Sequence, residues 1–213
     1  PGTRSEPREA VTPRIILASQ SPRRKALLAS LGVTFDVIPS GAEEIDHGNS
    51  PVEIVIDNAR AKLHDLARRT TGPSVIIAAD TLVFLDGEVL SKPKDRAEAI
   101  EMLRRLSGNT HHVVTGLAVL NTYTGQTVEG SETTAVSFRP LNTPEIERFV
   151  EIVNPLDRAG AYTVDGPGSL LVARYDGCYY NVLGLPLVKL DMLLRQTGVE
   201  LFQLMQAEKT VFL

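Results

Sequence analysis

The segment Ser21-Pro22-Arg23-Arg24-Lys25 sets three cations in the opening turn of an expected helix. Peptide dipoles there already present positive charge and free N–H groups. Each exposed cation in that place costs roughly 0.3–1 kcal/mol, and a bound phosphate reverses the sign while using the orphan donors. Taken alone, the segment has two readings, a polyanion site and a solvated basic face. Asp80 is the second candidate: it separates two apolar runs, residues 75–79 and 81–85. A carboxylate between such runs is costly to desolvate without a partner. Lysine or arginine, backbone N–H groups, or a divalent cation with an activated water would compensate it, and α/β folds gather ligands beside the carboxyl ends of strands. Asp80 is therefore the first choice for a catalytic residue; the bland alternative is a turn-forming Asp at a strand end.

Other groups have the right chemistry without decisive spacing. Glu43 and Glu44 follow the first expected strand unit, where one carboxylate can serve as a magnesium ligand or both can stay solvated. Lys62 falls within an expected helix, and Lys92 precedes Pro93, which restricts it to an extended backbone. Each lysine is a phosphate partner or a solvated surface group. Residues 157–168 are glycine-rich yet match neither a Walker loop nor a dinucleotide fingerprint. Their glycines permit sharp turns, for packing or for holding a base. Tyr179 and Tyr180 suit base stacking or core packing.

Several function classes fall away. His47, His64, His111 and His112 have no zinc-ligand spacing with one another or with Cys178. No Gly-x-Ser-x-Gly elbow marks a serine hydrolase. Cys178 is the single cysteine, so no intrachain disulfide forms, a reducing compartment such as the cytoplasm is expected, and the residue reads as part of a core or hairpin. A formal net charge of −4 argues against a broad nucleic-acid footprint but allows a local cationic pocket. No apolar run is long enough to cross a bilayer. Residues 1–13 mix proline and charge without hydrophobic period and read as a disordered tail, leaving 14–213 as one domain.

These groups need a scaffold. Residues 14–18 read as a buried strand running into a helix capped by Ser21 and stopped by Gly32, followed by a strand over 34–38. Apolar residues recur at helical intervals over 51–70. Strands are predicted over 75–79 and 81–85, with an Asp86-Gly87 hairpin to 88–90, then a helix from the Asp95 cap to Leu106. Two long Val- and Thr-rich strands occupy 113–122 and 127–138, and a helix opens at Thr143-Pro144-Glu145. A second hairpin at Asp176-Gly177 is predicted to join strands 169–175 and 178–182, before a last helix over 186–196. The alternation gives an α/β class with a mixed central sheet flanked by helices, bilobal but continuous.

Taken together and in order, Leu17-Ala18-Ser19-Gln20-Ser21-Pro22-Arg23-Arg24, Ala79-Asp80-Thr81, Lys92-Pro93, Leu106-Ser107-Gly108, Gly160-Ala161-Tyr162 and Asn181-Val182-Leu183-Gly184-Leu185-Pro186 resemble the Maf family of nucleotide pyrophosphatases, whose fold is akin to Ham1 and ITPase proteins. The resemblance runs from about residue 15 to residue 194. It implies a homodimer that hydrolyses nucleoside triphosphates to monophosphate and pyrophosphate with Mg²⁺ or Mn²⁺. By position, Asp80 matches the proton acceptor, and Ser19, Arg23, Arg24, Glu44, Lys62 and Lys92 match polar cleft residues. The implied chemistry has the metal on Asp80 and Glu44, with Arg23, Arg24, Lys62 and Lys92 clamping phosphates. Arg23, Thr81 and Asp165 fall where the family sets base choice; members favouring dTTP and UTP carry Arg, Thr and Gln there, and Asp165 departs from that set. A carboxylate only accepts, so a pyrimidine carbonyl would lose a donor, whereas an exocyclic amine would gain an acceptor. A nucleotide-binding regulator without hydrolysis and a purine-directed, ITP-type scavenger use the same cationic helix start.

Overall fold

The structure is a computed structural model that describes residues 13–212; of the expected tail, residues 1–12 lie outside the described residues. The first strand, β1 (Ile15–Ala18), is wholly buried and runs into α1 (Pro22–Ser30). The Ser21 side chain accepts the Arg24 N–H, and Pro22 occupies the first turn, where its missing donor costs nothing. After β2 (Leu31–Val33) and β3 (Asp36–Val37) comes α2 (Pro51–Arg69), which is capped by Ser50. Its periodic stripe of Ile54, Val55, Ala59, Leu63 and Leu66 is buried.

The central strand β4 (Val75–Leu85) runs straight through Asp80, and Asp86-Gly87, both at positive φ, turn it into β5 (Glu88–Leu90). Next follow α3 (Arg96–Leu106) and the long pair β6 (Thr110–Asn121) and β7 (Gln126–Phe138). A capping box between Asn142 and Glu145 opens α4 (Thr143–Val153). The chain finishes with β8 (Val172–Asp176), α5 (Tyr179–Val182), α6 (Leu187–Gln196), α7 (Leu201–Leu204) and β9 (Met205–Thr210).

The main sheet has the order β3-β1-β4-β6-β7-β8, with β5 also on β4; β3, β1 and β4 are parallel and the other pairs antiparallel. It is the mixed, helix-flanked sheet expected. Strand alternation splits the core. Ile15, Leu17, Val75 and Ile77 face the larger cluster with α1, α3, α4 and α6, while Ile16, Ala18, Ile76 and Ala78 face Ala59, Leu63 and Leu66 of α2. Asp80 shares the parity of Ala78 and points to α2, and Thr81 points to the opposite face.

Two expected strands are corrected. Of the expected strand 178–182, residues 179–182 form α5 instead of a hairpin arm. Buried Thr134 of β7 accepts the Cys178 N–H, and buried Asn181 donates to Thr134 Oγ1 and to the Val113 carbonyl, so the chain is wound onto the sheet instead of extended along it. The strand over 34–38 shrinks to Asp36–Val37, because the preceding Leu31–Val33 pairs with β9 from the far end of the chain. Gly32 lies inside β2, where a Cβ would collide with the Gln206 carbonyl.

Gly116 sets how closely α2 lies on the sheet. It is paired with Asp80 across β4 and β6, and a Cβ there would overlap the Val55 carbonyl and come within 2.7 Å of the Ile56 nitrogen. Gly116→Ala is therefore expected to push α2 off the sheet and to cost at least about 1–3 kcal/mol. Urea unfolding checks this; an unchanged midpoint would show that the helix yields without strain.

Candidate active site

β1 pairs with β4 only as far as Ala78, and β5 joins β4 only from Val83. Among the described residues, 79–82 therefore have no sheet partner on that edge. The gap sits at the carboxyl end of β1, where an α/β sheet gathers ligands. A cavity of about 550 Å³ opens there, within the range of small-molecule sites. Ser19, Arg23, Arg24, Glu44, Lys62, Asp80, Thr81 and Lys92 all line it, brought together from α1, α2, β4 and three loops. Asp165 does not line it.

Asp80, 4% exposed, is held by α2. Its Oδ1 accepts from Lys62 Nζ at 2.8 Å and its Oδ2 from Asn58 Nδ2 at 2.8 Å. Lys62 Nζ also lies 2.7 Å from Glu44 Oε1 and donates to the Ala79 carbonyl at 3.2 Å. All three ammonium hydrogens are thus engaged, and the charge that Asp80 carries into the core is matched at contact distance. Glu44 stands on a loop fastened to α2: Asp65 accepts from Ser40 Oγ and the Gly41 N–H, and Asn58 exchanges two hydrogen bonds with Ile45. The Arg69 hydrogen bond, with that of Gly41 and Ser40, holds the Asp65 carboxyl down at about 2.

The cations divide into two sets. Arg24 is spent on the scaffold: Nε donates to the Gly184 carbonyl at 2.7 Å, one terminal nitrogen to Thr81 Oγ1 at 2.8 Å and the other to Ser19 Oγ at 3.3 Å. Burial pushes its pKa down, opposed by Asp80 and Glu44. Arg24 and Lys62 therefore build the floor of the cavity. Arg23 and Lys92, by contrast, have no hydrogen bond or ion pair among the described residues. Burial lowers the Arg23 pKa first, with a further push from Arg158 and an opposing pull from Asp165 and Asp157. A cation desolvated beside another cation favours an anion between them. The helix behind it agrees: α1 has no acidic residue in its first turn, whereas α2, α3 and α4 carry Glu53, Glu98 and Glu145 there.

Thr81 Oγ1 lies between Arg24 and Thr115 Oγ1, the latter at 2.8 Å, on the face away from Asp80. Asp165 sits at the start of a 3-10 turn beyond the cavity wall, exposed, accepting a hydrogen bond from Thr163 Oγ1. Its links to the cavity are this bond to Thr163, which lines it, and the charge it sets near Arg23. Tyr162 also lines the cavity, and its hydroxyl bonds buried His111 Nε2 at 2.7 Å. Burial holds His111 down at about 4, so this histidine is neutral packing against Phe138 and Tyr162.

A family model described as Maf-like protein matches residues 14–197. The chain belongs to the Maf-like family. Among curated relatives, the dTTP/UTP pyrophosphatase of Clostridium perfringens strain SM101 is 44% identical over 179 residues, covering 83% of this chain and 93% of that protein. That of Dictyoglomus turgidum is 44% identical over 191 residues, covering 88% and 97%. Of solved structures, the Staphylococcus aureus Ham1 protein aligns over 59% of this chain and 71% of its own, at 17% identity and a TM-score of 0.41.

In this Maf-like chain the carboxylates suit one shared cation. Among the described residues no group of three or more His, Cys, Asp or Glu forms a metal cage. Glu44 and Asp80 nevertheless converge on one positive centre, with Lys62 Nζ as its stand-in. Two carboxylates that meet at one positive charge are oxygen ligands of the kind a hard divalent cation such as Mg²⁺ takes. Sequence reasoning missed Asn58 and Thr115 as parts of this site and reached Arg158, Tyr162 and Gly184 only as members of longer segments, without a role of their own. Asn58 had a visible signal: it stands four residues before Lys62 inside the apolar stripe of α2, so two polar side chains break one buried face. Thr115 had none, because only the folded chain brings it to Thr81.

Proposed function

We propose that this Maf-like chain is a nucleoside triphosphate pyrophosphatase that converts dTTP and UTP to the monophosphate and pyrophosphate. The observation that carries the reading is one cavity lined both by a buried acid, Asp80, and by Arg23 and Lys92, two cations without a hydrogen bond or ion pair among the described residues. The names of the relatives support the substrate class. In this reaction water attacks the α-phosphorus, the bond to the bridging oxygen breaks, and pyrophosphate leaves. Asp80 takes the water's proton, and its fixed carboxylate orients that water. Arg23, Lys92 and the start of α1 hold the phosphate oxygens. Lys62 and Arg24 keep Asp80, Glu44 and Thr81 in place. A Mg²⁺ or Mn²⁺ ion on Glu44 and Asp80 would neutralise charge on the triphosphate when bound.

The reading extends to a homodimer in the cytoplasm. Exposed Val188 and Met192, one turn apart on α6, and Phe202 on α7 supply apolar surface for self-contact. The lone Cys178 suits a reducing compartment. No helix among the described residues is long and apolar enough to cross a membrane.

The test is pyrophosphate release from a panel of dTTP, UTP, CTP, dCTP, GTP and ITP, with and without Mg²⁺ or Mn²⁺. Release from dTTP and UTP is expected to dominate; preference for ITP, or binding without release, would replace this reading by a purine scavenger or a sensor. Asp165→Gln in the same panel removes the carboxylate that draws on Arg23, a cavity residue, and is expected to raise the kcat/KM ratio of UTP over CTP by about 2–5-fold as Arg23 becomes a freer donor to a uracil carbonyl. An unchanged ratio would take Asp165 out of base choice.

A further inference from the structure

The structure assigns to Asn58 a role in the reaction: it is the positioning residue that fixes the carboxylate of Asp80 for proton transfer. The inference rests on the pyrophosphatase reading above. Asn58 is 3% exposed, and its carboxamide is almost fully used. Nδ2 donates to the Ile45 carbonyl at 2.8 Å and to Asp80 Oδ2 at 2.8 Å, while Oδ1 accepts the Ile45 N–H at 2.8 Å. This pattern settles which amide atom is nitrogen, since the reversed amide would set its oxygen against both the Ile45 carbonyl and a carboxylate.

Asp80 thereby receives one donor on each oxygen, Lys62 on Oδ1 and Asn58 on Oδ2. Both come from α2, one helical turn apart on the same face. With Lys62 alone the carboxylate could swing about that single bond; a second donor on the other oxygen stops the rotation. What remains free is the set of lone pairs aimed away from α2, which a water beside a phosphate can use. Holding a base in one orientation acts on the rate of chemistry and not on substrate binding.

The competing role is a strap that only ties Ile45, and with it Glu44, to α2. That strap is partly duplicated, because Asp65 already holds Ser40 and Gly41 of the same loop. The bond to Asp80 is additional to anything a strap requires.

The experiment compares the parent with Asn58→Leu, which removes the polar atoms at similar volume, under single-turnover conditions with UTP and dTTP. A fall in kcat of about 10–100-fold with KM within about threefold of the parent is expected, the pattern of a group acting only in the transition state. The same change made on top of Asp80→Asn is expected to lower the residual rate no further, since the carboxylate through which Asn58 acts is then gone. Losses that multiply in the double variant, or a kcat within threefold of the parent, would overturn the proposal. If Asn58→Leu does not fold by circular dichroism, Asn58→Asp replaces it. That variant keeps an acceptor for Ile45 and sets an oxygen against Asp80 Oδ2, and the same outcomes decide. A parent that releases no pyrophosphate from any triphosphate fails the underlying reading and takes this one with it; an active parent with an unaffected variant fails this one alone.

Discussion

Asp80→Asn is expected to reduce pyrophosphate release by roughly 10²–10⁴-fold, the usual worth of a positioned general base. The two side chains have the same shape, so the change removes the charge and the proton acceptance of Asp80 at constant volume. It also alters the local hydrogen bonds in a predictable way. Lys62 Nζ and Asn58 Nδ2 both donate to the carboxylate, one to each oxygen. A carboxamide offers one oxygen only, so whichever way it turns, its own N–H₂ meets a donor. Lys62 keeps Glu44 and the Ala79 carbonyl in either case. The expected stability loss is about 1–3 kcal/mol, that of one unsatisfied buried donor. Initial rates and urea midpoints on the same preparation separate the two effects. A folded variant turning over within threefold of the parent would remove Asp80 from the chemistry.

Lys62→Met should have the largest effect on stability, a loss of about 3–5 kcal/mol, because it strands a buried carboxylate. The two side chains that meet are 9% and 6% exposed, at 2.8 Å. Glu44, the other carboxylate on this ammonium, is 52% exposed and remains solvated without its partner, so little of the loss comes from that pair. The decisive measurement is a double-mutant cycle. Lys62→Met combined with Asp80→Asn should recover a large part of the loss, since the uncompensated charge is then removed along with its partner. Additive losses would mean that Asp80 draws its compensation from elsewhere. Turnover of Lys62→Met should fall as well, for the carboxylate would retain only Asn58.

Much of the scaffold was legible because its causes are local. The helix starting at Pro22 shows in Ser21 and its proline, the β4–β5 turn in Asp86-Gly87, and α2 in its repeating apolar positions. Asp80 stood out through a local contrast too, one carboxylate within a run of apolar residues. Where a partner arrives from a distance, the reading failed. Asn181 and Thr134 wind residues 179–182 into a helix, and β9 draws Leu31–Val33 away from the main sheet. Neither event leaves a mark on the segments it reshapes.

The same division holds for the site. Sequence by itself determined which groups carry charge, that three cations begin α1, and that Asp80 lies where desolvation demands a partner. Tertiary structure alone decided how those groups are used. It turned Lys62 and Asn58 toward Asp80, bound Arg24 to Gly184 and Thr81, left Arg23 and Lys92 without a partner among the described residues, and kept Asp165 out of the cavity lining. The physical reason is that charge and hydrogen-bonding capacity belong to a residue type, whereas the partner that uses them up is chosen by contacts between segments 18 to 160 residues apart in the chain, such as those of Asp80 with Lys62 and of Arg24 with Gly184.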